Sequence, residues 1–211
     1  MSIDLPSRIA SLTNAGSSWI LWSLVALSVI AVAVIIERAW ALSSDRADAG
    51  ACRRDILDLL RRGDLEAARQ RARASQSLEA QVFTSGVDGA TSGPMATEQR
   101  LAAATQMAKL HMERRLAFLG TLGNNAPFIG LLGTVIGIIR AFQTLDSAAG
   151  KVTAGLMSQV GEALVATAIG ILVALPAIAA FNLFQRMIKA RLVRIEAMGR
   201  ELVAALSTEG A

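Results

Sequence analysis

The sequence holds a single cysteine, Cys52, and a single histidine, His111, in 211 residues. A disulfide framework needs paired cysteines and a Cys/His zinc site needs three or four ligands, so redox and zinc chemistry are set aside and neither metal nor cofactor is expected. Charge is scarce too. Only 18% of residues are charged, 53% are hydrophobic and the mean hydropathy is +0.47, too apolar for an ordinary soluble domain of this size. Strand-like alternation and useful internal repeats are missing as well. These absences point to an all-α membrane protein rather than a soluble enzyme.

The charges are missing in blocks. No charged residue occurs over the 28 positions between Arg8 and Glu37, and Trp19–Ile36 reads WILWSLVALSVIAVAVII. At about 1.5 Å per residue, 20 helical residues reach roughly 30 Å, the thickness of a hydrocarbon core. The apolar core of a signal peptide is shorter, about 7–15 residues, and follows a basic start, so an anchor is expected. Trp19 and Trp22 at one end and Trp40 at the other suit headgroup level. A second uncharged run, Leu116–Ile139, has 24 residues with Asn124, Asn125, Pro127 and five glycines, and must lie against other helices. A third, Val152–Gln185, carries one charge, Glu162, and one proline, Pro176, which neighbouring helices can accommodate.

Three spans put the termini on opposite sides. Residues 37–115 hold 13 Arg/Lys and the tail after Gln185 holds 5, against 1 before the first span and 2 in 140–151. The positive-inside rule then gives a periplasmic stub (1–16), spans at 17–42, 116–139 and 152–185, a cytoplasmic helical domain (43–115), a periplasmic loop (140–151) and a cytoplasmic C-terminal helix (186–211). The net charge of +4 follows from this bias and from solvated helix faces, with no nucleic-acid partner required.

In the cytoplasmic part, Ala51–Arg62 places Ile56, Leu59 and Leu60 on one helix face, with Gly63 as its end. Asp64 caps a helix to about Ala74, another covers Ser77–Val87, and GATSGP at 89–94 is a turn. Leu101, Thr105/Ala108, Met112 and Leu116 form a stripe without a breaker, so one helix is expected to run from Thr97 into the second span. The third span is expected to continue to about Leu206 on a stripe of Ile188, Leu192, Ile195 and Leu202. Cys52 reads as a small residue on an amphipathic helix, and His111 as a helical position near the membrane entry.

Three features in the spans carry candidate function. Gly133 and Gly137 are four apart, with Gly130 and Thr134 adjoining, which makes a face where another backbone can approach. Ala163, Ala166, Thr167, Gly170 and Ala174 repeat the device on the third span. GLLGTVIG is neither GxGxxG nor a Walker motif, so nucleotide binding is not expected. Glu162 is a lone carboxylate in an apolar stretch. Such a group faces a bundle interior or wet cavity and carries function, or it sits at the outer interface near the positive end of a helix starting around Ser158. The residues leave both open.

APFIGLLGTVIGIIRAF (126–142) followed by GEALVATAIGILVALPAIAAFN (161–182) resembles the proton-channel subunit family of ExbB and TolQ, with MotA more distant. The resemblance covers the last two spans, about a quarter of the chain. It implies a homopentamer in the bacterial inner membrane whose second and third spans enclose a pore. Single-span ExbD/TolR-like subunits would sit in that pore and bring an essential Asp. A TonB/TolA-like or motility partner would be energised by the proton motive force, and the chain would not be an enzyme. The family's functional Glu and two pore-facing Thr fall on Glu162, Thr134 and Thr167; Gly130, Gly133, Gly137 and Gly170 would serve packing. A structural membrane scaffold without proton conduction is the alternative. The topology predicts that single cysteines at Ser11 and Ser147 label from the periplasmic side and Cys52 does not; the opposite pattern discards three spans.

Overall fold

The computed structural model describes residues 18–44, 46–147 and 154–209; the expected stub 1–16 and residues 148–151 of the expected loop lie outside them. Among the described residues every regular element is helical: α1 (Ser18–Ser44), α2 (Arg46–Arg61), α3 (Leu65–Arg73), α4 (Leu78–Val87), a 3-10 turn (Ala90–Ser92), α5 (Pro94–Glu113), α6 (Leu116–Ser147) and α7 (Ala154–Glu209). Three of them are long and apolar enough to cross a membrane, over Ser18–Ser43, Leu116–Leu145 and Gly155–Ser207.

Two boundaries differ from the sequence reading. Residues 140–147, expected in a loop, continue α6, because Arg140 ends the apolar run without opposing helix formation. The uninterrupted helix expected from Thr97 into the second span is broken. α5 stops at Glu113, Arg114 turns extended (φ −51, ψ 133) and Arg115 adopts a left-handed φ of 66 before α6 begins. The stripe survives the break, since Leu101, Ala108, Met112 and Leu116 are all buried. Periodicity therefore could not reveal it, and neither Gly nor Pro marks the spot.

The chain divides into two units. The first combines α1 to Ile36, α6 and α7 to Asn182. Its organising feature is a seam of small residues between α6 and α7. A Cβ placed on Gly130 would come 2.7 Å from the Ala166 carbonyl oxygen, and one on Gly170 would come 2.7 Å from that of Ala126. Gly133 faces Ala166 and Ile20, Gly137 faces Ala163, Gly123 faces Ile178 and Gly120 faces Phe181. As the number rises on α6 its partner's number falls on α7, so the two helices run antiparallel. Small residues are required because two backbones approach more closely than side chains would permit. The large apolar residues point outward instead, among them Phe128, Leu131, Phe142, Leu164 and Leu172. That inversion of a soluble core suits a surface covered by lipid or by neighbouring protein.

The second unit combines residues 37–114 with α7 from Leu183. Here the core is conventional: Ile56, Leu60, Phe83, Val87, Leu101, Met198 and Leu202 are buried together. Its helices start where short polar side chains meet open backbone N–H groups. The Asp64 carboxylate accepts from Ala67 N–H at 3.0 Å, and Ser77 Oγ accepts from Ala80 N–H at 3.3 Å. Gly63 (φ 75) and Gly93 (φ 93) take left-handed turns that other residues resist, and Pro94 then opens α5. Cys52 is buried, its Sγ directed at the Arg71 carbonyl at 3.9 Å. Its silence toward a thiol reagent therefore carries no topological information, and an exposed position such as Glu66 must report instead. Glu79 and Arg191 form an ion pair at 3.4 Å with both side chains 6% exposed.

Two stability predictions follow from these packings. Gly130→Ala should cost about 1–3 kcal/mol, since the new methyl meets backbone rather than a movable side chain. Gly161→Ala, which meets nothing within 4 Å, should cost nothing. Glu79→Ala should cost about 3–5 kcal/mol by leaving the Arg191 charge buried without that carboxylate, whereas replacing both residues by apolar ones should cost far less. Thermal unfolding of the detergent-solubilised protein reads all four variants.

Candidate functional site

Thr134 and Thr167 are half-buried in the α6–α7 seam, one on each helix, and the antiparallel register brings their hydroxyls into direct hydrogen-bonding contact. Thr167 Oγ1 also lies 3.1 Å from the Gly130 carbonyl oxygen, and Thr134 Oγ1 lies 3.2 Å from that of Ala163 and 3.4 Å from that of Gly130. Each hydroxyl has one proton to donate and can accept others. Two orders are then available to the same atoms. Thr134 can donate to Thr167, which donates to Gly130, or Thr167 can donate to Thr134, which donates to Ala163. Switching between them reverses the direction in which the pair passes hydrogen bonds. Carbonyls facing the seam make this possible, and the glycines allow those carbonyls to come within reach.

Gly130, Gly133, Gly137 and Gly170 all lie in this seam, and it is the helical packing of this stretch, not a loop, that rules out a phosphate cradle in GLLGTVIG. Glu162 is elsewhere. It stands five residues before Thr167 on α7, about 7.5 Å along the axis and on a different face. Its Oε1 accepts a hydrogen bond from Ser18 Oγ at 3.1 Å, at the first turn of α1, and the side chain is partly buried. The described hydrogen bonds do not join the carboxylate to either threonine. α7 begins at Ala154 rather than near Ser158, which puts Glu162 more than two turns inside the helix. The helix-end dipole acts mainly within the first turn, so it contributes little here.

Two polar partners in this unit escaped the sequence reading. Ser18 lies within an uncharged run and carries no signal of its own. Thr144 Oγ1 donates toward the Arg140 carbonyl at 3.0 Å or Gln159 Oε1 at 3.2 Å, and Gln159 lies one turn before Glu162 on α7. Spacing along α7 could have suggested Gln159 as a companion of Glu162; Thr144 lay in the segment expected as loop. Gln159, Glu162 and Thr167 thus place polar groups along one apolar helix. His111 is exposed on α5. Among the described residues no group of three His, Cys, Asp or Glu is placed to hold a metal ion.

Comparison with known proteins agrees with this geometry. The model of the MotA/TolQ/ExbB proton channel family matches residues 74–197. An ExbB-like biopolymer transport protein of Helicobacter pylori is 49% identical over 78 residues, 37% of this chain and 52% of the relative. The biopolymer transport protein ExbB of Xanthomonas campestris pv. campestris is 31% identical over 129 residues, 61% of this chain and 51% of the relative. The Tol-Pal system protein TolQ of Pseudomonas aeruginosa is 40% identical over 90 residues, 43% of this chain and 38% of the relative. The chain thus spans about half the length, or less, of these curated relatives. The matched region takes in the small-residue seam, both threonines and Glu162, and it covers more than half of the sequence: this chain belongs to the MotA/TolQ/ExbB proton channel family.

Proposed function

We propose that this chain is a proton-channel subunit of an inner-membrane motor, coupling the proton motive force to work done by a partner that reaches the periplasm. The observation that carries the reading is the hydroxyl pair Thr134–Thr167, held between two apolar helices with two interchangeable hydrogen-bond orders. A hydroxyl pair can hand on a hydrogen bond while keeping no permanently ionised side chain in hydrocarbon, where an unpaired ion is expensive. Glu162 supplies a group that binds and releases a proton at the end of the seam nearest Ser18. The topology is N-terminus out, with residues 43–115 and 186–211 on the cytoplasmic side, as the Arg/Lys distribution favours. The assembly is a homopentamer enclosing single-span ExbD/TolR-like chains whose Asp completes the pathway. A TonB/TolA-like or motility component takes up the work. The energy available is about 2.3 kcal/mol per proton per 100 mV.

The outward-facing large apolar residues support a shared interior: a lone three-helix unit has no room for a pore, whereas copies arranged side by side cover part of those faces. A scaffold without proton conduction is the second reading. It is favoured by one observation, that both threonines bond helix carbonyls, as packing alone would require.

Proton uptake by liposomes carrying the protein together with its co-purifying single-span partner separates the two readings. Glu162→Gln should lower uptake at least tenfold while the partner still co-purifies, and Glu162→Asp should retain part of it. Thr134→Val and Thr167→Val should each lower uptake without loss of protein from the membrane, with Thr→Ser milder. Full activity in all three of Glu162→Gln, Thr134→Val and Thr167→Val would leave the scaffold reading standing. Native mass spectrometry of the detergent-extracted complex should give five copies of this chain around fewer partner chains.

A further inference from the structure

The second unit contains a cavity of about 380 Å³ whose lining includes Arg53 of α2 and Arg191 and Arg194 of α7, with one carboxylate, Glu79 of α4, among the described residues that line it. Glu79 is already taken by Arg191, whose side chain is 6% exposed. Neither Arg53 nor Arg194 has a carboxylate partner among the described residues. Among the described lining residues, Arg53 and Arg194 are therefore two guanidinium groups in a concave site that the Glu79 carboxylate does not pair. The rest of the described lining is apolar or small: Leu42 from α1, Ala49 and Gly50 from α2, and Met187 and Ala190 from α7, which share a face of that helix with Arg191 and Arg194. A second cavity, about 270 Å³, shares Leu42 and Arg191 with the first and is lined also by Arg38, His111, Gln76 and Gln81, with no carboxylate among its described lining residues. The Arg38 side chain is 9% exposed; one of its terminal nitrogens meets Glu37 at 3.0 Å, and its Nε has no partner.

We propose that the first cavity binds the phosphate of an anionic lipid headgroup. Guanidinium forks match phosphate oxygens in pairs, and an excess of positive charge selects an anion over a zwitterion. The lipid is preferred to a soluble phosphate compound because Leu42, Met187 and Ala190 come from helices that have just left their apolar runs. The uncharged run of α1 ends at Ile36, and α7 gains its first basic residue after the span at Arg186. A headgroup entering here keeps its glycerol and upper chains against Leu42 and Met187 while its phosphate reaches Arg53 and Arg194. Among the described residues that line the cavity none is aromatic, so none of them can stack a nucleotide base. Basic pockets beside spanning helices on the cytoplasmic side recognise such headgroups. Only the leaflet rests on the topology proposed above; the binding itself does not.

The test uses the full-length purified chain in detergent with equimolar phosphatidylglycerol and phosphatidylcholine, followed by native mass spectrometry of retained lipid. The wild type should retain phosphatidylglycerol over phosphatidylcholine by about tenfold, equivalent to ~1.4 kcal/mol. The double variant R53Q/R194Q should bring the ratio to near one, R53K/R194K should keep most of it, and R61Q, at an exposed position on α2, should leave it unchanged. Equal retention of both lipids by the wild type, or an unchanged preference in R53Q/R194Q, overturns the site. Displacement of phosphatidylglycerol by millimolar inorganic phosphate overturns the lipid as its ligand and assigns the cavity to a soluble phosphate. Orientation is read separately by labelling exposed cysteines, so a failed topology and a failed site give different results.

Discussion

The close approach of α6 and α7 is the constraint on which the first unit depends. In hydrocarbon there is no hydrophobic gain from pairing two apolar helices, so their association relies on van der Waals contact and short-range polar bonds. Both fall steeply with distance. Gly130 and Gly170 lie so close that each would strike a backbone carbonyl of the opposite helix if it carried a Cβ. With that separation set, the carbonyls of Gly130 and Ala163 come within reach of the two threonine hydroxyls. Widening the seam by one methyl group would break the polar contacts as well as the packing, so structural and chemical roles are coupled through one distance.

The second unit obeys the opposite solvent logic. Its large apolar residues point inward, its helices begin with capping side chains, and exposed ion pairs such as Arg71–Asp55 at 2.8 Å lie on its surface. It nevertheless buries one pair, Glu79–Arg191, at a cost that only good partners offset. Arg191 also borders both cavities of this unit. The buried glutamate fixes its position; a guanidinium held that way loses less freedom when an anion arrives than a solvated one would. An apolar substitute would fill the space equally well without offering a charge there.

How much of this was legible in the sequence depended on what kind of signal each feature leaves. Spans leave an absence of charge over 20 or more residues, and Ser18–Ser43 and Leu116–Leu145 were visible for that reason. The facing surfaces of α6 and α7 were visible because small residues recur at helical spacing. The cap at Asp64 was visible because side-chain type and position suffice to make it; Ser77, read as the first residue of its helix, is instead that helix's cap. The break at Arg114–Arg115 left no mark: its cause is a left-handed backbone at an arginine, and the buried stripe runs across it unchanged. The Ser18–Glu162 bond joins residues 144 positions apart, and no local pattern encodes such a pair. Cys52 and Arg191 illustrate a further limit, since burial depends on tertiary neighbours that a periodic stripe does not name.

The separation of Glu162 from the threonines bears on how the proposed pathway divides its labour. Were the carboxylate bonded to Thr167, its hydrogen bonding would be tied to the hydroxyl order. The described geometry instead gives Glu162 a hydroxyl donor from another helix, at the first turn of α1, while the threonines exchange hydrogen bonds with each other and with backbone. A proton passing between the two places must cross about 7.5 Å along α7, too far for a single hydrogen bond and suited to water or to a carboxylate brought by another chain. On the proposed reading the two polar centres would be complementary halves, with the ionisable group near the end of the spans and the neutral hydroxyls inside them. Conduction on this arrangement requires something in the gap between them, and the small-residue faces of α6 and α7 are spent on each other, so that component must approach from the half-exposed side of the threonines.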